Sequence, residues 1–522
     1  MYFNEAAVRS NLAKVLDLVE DGLELIKEEF YLKNRLGTSG FVDILAKDRL
    51  GNLVVIEVKI SKQAERDAIT ELFKYMALLK QNMSIKDSEI RLVVISTDWR
   101  ELLVPFSEFT WSTNYNASGY LAQVDGSGLP KQIEEVKLVG PGVGRNIVPR
   151  HWIQTYHGKE KRDVAAKIYA QKIMDRGINN FVILSFIYSY PELDVEGYGF
   201  YFAQQQESLE FYKEILRKHN IERYEEICEV TEDYSDDEDV LDEFADAATD
   251  SIFVEAEELE IGHPEKIKGY LQSGAWKIEH IERYGSFQRD MRLKDEQIVN
   301  DVCGFSGGSY TWFSANCKVT NRSYLNELLS RYTKCLYNND AWRYFIRDVV
   351  EFFKTKPSDS IMHLAIFNPE NIIETISLYK KFQDAAYLPK FICIIETQSE
   401  EELEFFYGKI CVHGSPKLDA KEIGVKYFDG SIANAIFYQH FHAVKDMNMG
   451  IMLDLGLSPK VVYERKKKGG ELTGGSNPKF RGKKVLFDEE QLKDLVSWIE
   501  INDVLSDEIT DSYFSTRIGP FF

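Results

Sequence analysis

Two acidic residues and one lysine lie where they could act together on a phosphate ester. Asp43 precedes Glu57 by fourteen positions, and one residue separates Glu57 from Lys59 in the apolar run LVVIEVKI. Because side chains alternate across a strand, Glu57 and Lys59 are expected to share one face. Ionised groups on so apolar a strand need a partner or an ion to offset their desolvation.

The segment between the two acids is expected to bring them side by side. Residues 48–52, DRLGN, carry the glycine of a hairpin turn between a strand at 41–47 and a strand at 53–60. Carboxylates that approach so closely repel unless one is protonated or a cation lies between them. Mg²⁺ (or Mn²⁺) is the expected cation, because it binds carboxylate oxygens and keeps places for water and phosphate oxygens.

The chemistry that such a site would serve is phosphodiester hydrolysis. The metal would polarise the scissile phosphate, and Lys59 would orient the attacking water or stabilise charge in the transition state. A structural alternative stays open, in which the lysine bridges an acid pair on a half-exposed sheet face.

The flanking sequence predicts the elements that would position these groups. Apolar residues recur at helical spacing over 5–27, with Asn4 as a cap, and a strand is predicted over 29–36. A helix is predicted over 64–81, and a strand over 91–96. A short helix in TDWRELLVPF would be capped at Thr97 or Asp98. One side of the 64–81 helix would be buried, through Ala68, Leu72, Tyr75, Met76 and Leu79.

This order of elements and residues resembles a known nuclease family. Gly40, Asp43, Glu57 and Lys59, followed by a helix, are similar to the PD-(D/E)XK nucleases, and most similar to the nuclease domain of NucS-type DNA endonucleases. The resemblance covers about residues 1–125. It implies an N-terminal restriction-endonuclease-like αβββαβ domain. The helix and strand pattern of the rest of the chain predicts two further mixed α/β regions, so the fold class is α/β.

The resemblance also implies roles for these residues. Asp43, Glu57 and Val58 would hold the metal, and Lys59 would be the catalytic lysine. Glu71 and Tyr75 would support the site.

Two glutamates, Glu71 and one in the first helix, differ from or extend this motif. The NucS motif has glutamine where this chain has Glu71, which adds a negative charge. The family fold also places a glutamate of the first helix near the metal. Glu5 is the preferred candidate, with Glu20 in reserve, although a carboxylate at a helix start is also favoured by the helix dipole.

A net charge of −21 would by itself argue against nucleic-acid binding, but most of the acidic excess lies in one segment. Residues 225–260 hold seventeen Asp or Glu and no Lys or Arg, which leaves −4 for the rest of the chain. An acidic total is therefore compatible with a locally basic groove. The acidic segment is expected to be a solvated, partly disordered loop, or a charge mimic of nucleic acid.

A basic segment near the C-terminus is the second candidate for nucleic-acid contact. Residues 465–484, RKKKGGELTGGSNPKFRGKK, contain five glycines and one acid. A flexible basic loop of this kind could track a phosphate backbone, and a plain solvated loop is the alternative. Its cations are Arg465, Lys466, Lys467, Lys468, Lys479, Arg481, Lys483 and Lys484.

The length of 522 residues predicts three domains. They are a nuclease domain at 1–139, an α/β region at 140–261 ending in the acidic loop, and a C-terminal mixed α/β domain at 262–522. No run of residues is apolar and long enough to cross a bilayer, so we expect a cytoplasmic protein with no membrane partner.

The sequence thus predicts an Mg-dependent DNA endonuclease, with DNA as partner and a homodimer or higher homo-oligomer as its assembly. By analogy alone, it would be a bacterial anti-phage defence effector. The alternatives are a catalytically silent nucleic-acid-binding or scaffold protein that keeps the nuclease fold, and an RNA nuclease.

Overall fold

The chain divides into two compact units, residues 1–143 and 144–522, in a computed structural model of the protein. The structure describes residues 3–60, 62–140, 144–190, 195–234, 237–250, 252, 254–440, 445–468 and 493–515. The described residues form a mixed α/β fold with three sheets, one in the first unit and two in the second. This agrees with the predicted fold class at that level.

One six-stranded sheet organises the first unit, with strand order β1-β2-β3-β4-β5-β6. Strands β1, β2 and β3 are antiparallel, β3, β4 and β5 are parallel, and β6 is antiparallel to β5. The elements are α1 (Glu5–Leu12), β1 (Glu24–Leu32), β2 (Gly40–Lys47), β3 (Leu53–Lys59), α2 (Lys62–Asn82), β4 (Ile90–Ser96), α3 (Leu103–Ser112), β5 (Asn116–Val124) and β6 (Pro130–Glu135).

The hairpin between β2 and β3 forms where the sequence predicts it. The Asp48 carboxylate accepts hydrogen bonds from the N–H groups of Leu50 and Asn52, both at 2.9 Å. Gly51 has a φ of 86°, a region that side-chain-bearing residues rarely adopt. These local interactions close the turn and set the register that brings the two acidic strands together.

Helices cover both faces of this sheet. The predicted face of α2 is buried, and it packs with Val55 and Leu92 on one side of the sheet. On the other side, Val8 and Leu12 of α1 pack against Val54, Ile56 and Val58. The alternation predicted for β3 is therefore confirmed, and Glu57 lies on the face that α2 covers.

The first helix is shorter than predicted. It is capped by Asn4, whose side chain accepts a hydrogen bond from the N–H of Ala7, but it ends at Leu12 instead of residue 27. Gly22, with a φ of 82°, turns the chain, and its N–H donates to the Asp17 carboxylate at 3.2 Å. The residues beyond this turn start β1 at Glu24, five residues before the predicted strand.

The predicted cap of α3 is also wrong. The helix begins at Leu103, and Asp98 instead accepts a hydrogen bond from the N–H of Arg100 at 3.0 Å. Pro105 explains the shift, because proline is tolerated in the first turn of a helix and not in its interior.

The second unit contains two five-stranded antiparallel sheets, with orders β10-β7-β9-β8-β11 and β12-β13-β14-β15-β16. Its strands are β7 (His151–Tyr156), β8 (Phe181–Tyr190), β9 (Val195–Gln204), β10 (Glu258–Gly262), β11 (Trp276–Arg283), β12 (Trp312–Lys318), β13 (Ser360–Phe367), β14 (Lys390–Thr397), β15 (Glu402–Val412) and β16 (Leu457–Lys467).

Fifteen helices accompany these sheets in the described part of the second unit. They are α4 (Lys159–Asp175), α5 (Leu209–His219), α6 (Ile221–Val230), α7 (Asp237–Ala247), α8 (Pro264–Gln272), α9 (Ser286–Arg289), α10 (Asp295–Val302), α11 (Arg322–Arg331), α12 (Asp340–Phe353), α13 (Ile372–Phe382), α14 (Ala420–Tyr427), α15 (Ala435–His440), α16 (Lys445–Asp454), α17 (Leu495–Ile501) and α18 (Asp503–Tyr513).

The acidic segment 225–260 contains helical turns and part of a strand, where the sequence predicted a loop. It contributes to α6 and supplies α7 and part of β10. Ile227 and Phe244 are buried in the core of the second unit. Apolar residues spaced among the acids therefore give these helices a buried face, which the charge count concealed.

The described part of the basic segment is a strand and not a flexible loop. Arg465, Lys466 and Lys467 end β16, where Arg465 pairs in register with Glu404 and Lys467 with Glu402. The opposite charges across β15 and β16 favour this pairing. The Lys468 ammonium donates to the Thr397 carbonyl at 3.0 Å. The other predicted cations, Lys479, Arg481, Lys483 and Lys484, lie outside the described residues.

The three-domain division stays a prediction. Strand β10 spans the boundary expected at residues 261 and 262, and the sheet to which it belongs has strands on both sides of that boundary. No helix in the described ranges is long and apolar enough to cross a membrane.

Candidate active site

The hairpin register brings Asp43 and Glu57 to opposite positions. The β2–β3 ladder pairs Ile44 with Ile56, so the next step places Asp43 across from Glu57. There the Asp43 carboxylate accepts a hydrogen bond from the N–H of Val58 at 2.9 Å. Asp43 is 8% exposed and Glu57 2% exposed. The two acids are thus fixed side by side away from bulk water.

Lys59 links the strand to helix α2. Its ammonium group lies 2.6 Å from Glu57 Oε1 and 2.6 Å from Glu71 Oε2. Burial lowers the pKa of Lys59, but the Glu57 and Glu71 carboxylates outweigh that effect and raise it above its ordinary value. Lys59 is therefore a permanently charged donor between two acids.

One of the two carboxylate oxygens of Glu57 accepts no hydrogen bond in the described part of the structure. Its Oε2 atom is buried and has no hydrogen-bond partner among the described residues. Burial, and then the negative charge of Asp43, raise the pKa of Glu57 well above its ordinary range. Burial also raises the pKa of Asp43, although the Val58 N–H and Arg9 oppose that rise. Such a pair favours either a proton or a further cation.

Helix α2 contributes Glu71 and Tyr75 to the same place, as predicted. Burial raises the pKa of Glu71, but the neighbouring Glu57 and Lys59 side chains outweigh it, so the pKa lies below its ordinary value. Burial and the charges of Glu57 and Glu71 raise the pKa of Tyr75, which stays a neutral hydroxyl. The Tyr75 ring also explains Gly40, since a Cβ there would lie 3.2 Å from it.

Glu5 of α1 lies within electrostatic reach of this cluster. Burial raises its pKa, and it also senses the charges of Lys59, Asp43 and Glu71. The structure thus brings all six predicted catalytic side chains together, although they come from two strands and two helices.

Two further residues belong to the cluster and were missed from the sequence. The Arg9 guanidinium lies 3.1 Å from Asp43 Oδ1 and 2.7 Å from Glu29 Oε1. Glu29 lies on β1 between Glu28 and Phe30, which pair with Ile44 and Val42, and it has a φ of 49°, which is uncommon for a residue with a side chain. Arg9 follows Glu5 by one helical turn, and that spacing was the available signal.

Carboxylates outnumber cations in the described part of this cluster. Arg9 and Lys59 face five acids, namely Glu5, Glu29, Asp43, Glu57 and Glu71. As they stand, no three His, Cys, Asp or Glu side chains of the described residues are arranged to hold a metal ion. In this arrangement Lys59 contacts Glu57 and Glu71, and Arg9 contacts Asp43.

Comparison with known proteins identifies the segment that carries this cluster. Residues 4–101 match the family model of the endonuclease NucS C-terminal domain. Endonuclease NucS of Thermococcus kodakarensis is 31% identical over 87 residues, which are 16% of this chain and 34% of that protein. The chain therefore spans about a third of the length of that relative. The first unit therefore contains a segment similar to the NucS C-terminal domain, and all six predicted catalytic residues lie in that segment.

One solved structure also matches a small part of the chain. It is titled a structure of an EndoMS–dsDNA2 complex, and it shows 20% identity over 18% of this chain and 36% of that chain. The TM-score is 0.14, so this match carries no argument about either the fold or the ligand.

Proposed function

We propose that the first unit is a metal-dependent DNA endonuclease of the PD-(D/E)XK type, which hydrolyses phosphodiester bonds. The observation that carries this proposal is the spare, buried Oε2 atom of Glu57 beside a second carboxylate, Asp43. A buried acid pair with an excess of negative charge is stabilised when a proton, a cation or a substrate completes it. The NucS-like match over residues 4–101 supports the same reaction class.

The residues present fit a divalent cation by the chemistry of their donors. Asp43 and Glu57 offer carboxylate oxygens, which Mg²⁺ and Mn²⁺ prefer. Val58 is the third expected ligand, and its carbonyl oxygen would serve, because its side chain carries no donor atom and these cations prefer oxygen ligands. A bound Mg²⁺ would polarise the scissile phosphate and acidify the attacking water.

Lys59 is suited to stabilise charge and not to remove a proton. Its raised pKa keeps it protonated, so it can donate to a non-bridging phosphate oxygen or to the attacking water. Glu71, with its lowered pKa, stays ionised and holds the ammonium in position. Tyr75 packs beside these acids as a neutral hydroxyl, and Glu5 adds a further carboxylate at the edge of the site.

The wider biological role is part of this proposal. A nuclease domain in the first 143 residues joined to a much longer second unit fits an antiviral defence effector, an inference from analogy. Plating phage on cells that express the wild type or Glu57→Gln tests it, with protection expected from the wild type only. Equal plating on both strains would contradict that role.

Nicking of supercoiled plasmid tests the catalytic proposal directly. The full chain with Mg²⁺ or Mn²⁺ is expected to nick DNA, and EDTA is expected to stop it. Glu57→Gln and Lys59→Ala should each reduce the rate by about 10²–10⁴-fold, as expected when a group that acts on the transition state is lost. Lys47→Ala is the matched control, because Lys47 lies on the same sheet but pairs with the exposed Glu24.

Two other outcomes would select the alternatives. Nicking that persists in both variants would sink the assignment of the site. Retention of DNA in a gel shift, without cutting by the wild type under any of these metals, would favour a silent binding or scaffold protein. Single-stranded and duplex RNA in the same assay decide between a DNA and an RNA nuclease.

A further inference from the structure

A cavity in the second unit has the size of a small-molecule site. Its volume is about 470 Å³, within the ~300–1,000 Å³ of typical ligand pockets. Its walls come from the glycine-bearing loop 304–311, from the chain between α11 and α12, from residues 146–149 and from helix α7. All of these segments belong to one compact unit, 144–522, and none belongs to the nuclease domain.

The glycine-bearing loop is held in one shape by buried hydrogen bonds. Glu265 Oε1 accepts from Ser309 Oγ at 2.6 Å and from the N–H of Tyr310 at 2.9 Å. Ser309 Oγ in turn accepts from the N–H of Thr311 at 3.0 Å. Burial raises the pKa of Glu265, but the His263 side chain and then the Ser309 hydroxyl outweigh that effect and hold the pKa at about 2. The loop wall is thus preorganised, as binding sites usually are.

Arg331 fixes the same loop from the opposite side. Its guanidinium donates to the Ser306 carbonyl at 3.2 Å and to Asn146 Oδ1 at 2.6 Å. Gly307 has a φ of 127°, and a Cβ there would lie 2.9 Å from the Arg331 side chain. Glycine is therefore required at residue 307 for the arginine to lie against the loop. The result is a cation held at the cavity wall.

The charges around the cavity are unevenly distributed. The chain from α11 to α12 contributes Arg331, Lys334 and Arg343, of which Arg331 is ion-paired with Glu327 and Arg343 with Asp340, whereas α7 contributes the acids Asp239 and Asp242. A third acid, Asp301, is paired with Arg145 at 2.6 Å. A ligand that matches these walls carries an anionic group for the cationic wall and hydroxyl or amine donors for the acids.

Two tyrosines add an aromatic surface. Tyr310 and Tyr337 both line the cavity, with ring centroids 6.4 Å apart and planes at 76°. The Lys334 ammonium lies 4.9 Å from the Tyr310 ring centroid. Aromatic side chains of this kind stack with the flat face of a base.

We propose that this cavity binds a nucleotide, with its phosphates toward Lys334 and Arg343, its base against Tyr310 and Tyr337, and its sugar hydroxyls or amine toward the α7 acids. The sequence FSGGSY around the loop lacks the GxxxxGK[ST] spacing of a phosphate loop, so the sequence motif alone does not predict a nucleotide site there. The site is separate from the proposed nuclease chemistry, and its test does not depend on cleavage.

Titration calorimetry of the full chain with ATP, in EDTA and without DNA, tests the proposal. We expect saturable binding at one site, with adenosine and inorganic triphosphate each at least about tenfold weaker than ATP. Lys334→Met keeps the aliphatic stem and should weaken ATP at least about tenfold, which is ~1.4 kcal/mol. Lys334→Arg should retain binding. Lys318→Met is the matched control, because Lys318 is exposed and does not line the cavity.

Each remaining outcome counts against the site. Absence of saturable ATP binding, or equal binding by the wild type and Lys334→Met, would overturn it. Triphosphate that binds as tightly as ATP would show an anion site without base recognition, and adenosine that does so would show a cavity without phosphate recognition. A circular-dichroism spectrum of each variant excludes misfolding as the cause of a lost signal.

Discussion

Two buried glutamates, one in each unit, look alike and behave differently. Glu57 on β3 and Glu404 on β15 are 2% and 4% exposed, and each is bonded to a lysine. Around Glu404, Lys356 lies 2.5 Å from Oε2, and the Tyr463 hydroxyl donates to Oε1 at 3.1 Å. Both oxygens of Glu404 are therefore used, whereas one oxygen of Glu57 has no partner in the described residues.

The charges around the two glutamates also differ, because cations surround Glu404 and other acids lie beside Glu57. Arg465 also lies 3.4 Å from Glu404, so cations surround it. Glu57 instead has Asp43 directly across the hairpin, and shares Lys59 with Glu71. A saturated carboxylate with surplus cations is typical of a structural ion pair, whereas an unsaturated one among other acids is typical of a candidate functional site.

Neutralising Glu57 and Glu404 in separate variants is expected to give the largest differences in nicking and in stability. Glu57→Gln should reduce the nicking rate by about 10²–10⁴-fold and leave the unfolding midpoint unchanged or higher, because it relieves repulsion with Asp43. Glu404→Gln should leave nicking intact and cost about 3 kcal/mol of unfolding free energy, because Lys356 loses a buried partner. Plasmid nicking and urea unfolding on the same preparations measure both quantities.

The comparison would fail in a recognisable way. If Glu57→Gln destabilised the protein as much as Glu404→Gln while nicking continued, the Asp43–Glu57 cluster would be a structural ion pair. Loss of nicking in a fully stable Glu404→Gln protein would instead place an essential group in the second unit.

Local rules were enough to predict the centre of the candidate site. The turn at Gly51, the alternation in β3 and the apolar side of α2 are each encoded within a few residues, and together they bring Glu57 to Glu71. Arg9 was not predicted, because its partners Asp43 and Glu29 are distant in sequence. Contacts of this kind depend on how α1 lies across the sheet, which periodicity does not specify.

The errors in the fold have physical causes of the same kind. Apolar spacing continued past Leu12, but the positive φ of Gly22 and the turn around it redirect the chain into β1. In the acidic segment, the charge count hid the residues that bury one face of α6 and α7, such as Phe244. The composition of a segment gives its number of charged residues, but it does not show which of the remaining residues are buried.

Two arginines, one in each of these clusters, give a finer form of the comparison. Arg9 bonds to Asp43 in the first unit, and Arg465 bonds to Tyr463 and Glu404 in the second. If Arg9 occupies a carboxylate that a metal needs, it competes with that metal. Arg465 competes with nothing, because the carboxylate of Glu404 is already saturated.

The Mg²⁺ concentration that gives half-maximal nicking measures this competition. Arg9→Gln should lower that concentration by about fivefold, or ~1 kcal/mol, because a partly buried cation beside Asp43 is removed. Arg465→Gln should leave it unchanged and alter stability by less than ~1 kcal/mol, as expected for a half-exposed pair. A higher Mg²⁺ requirement in Arg9→Gln would mean that Arg9 assists the metal or the phosphate, and that the open oxygen of Glu57 alone does not define where the cation binds.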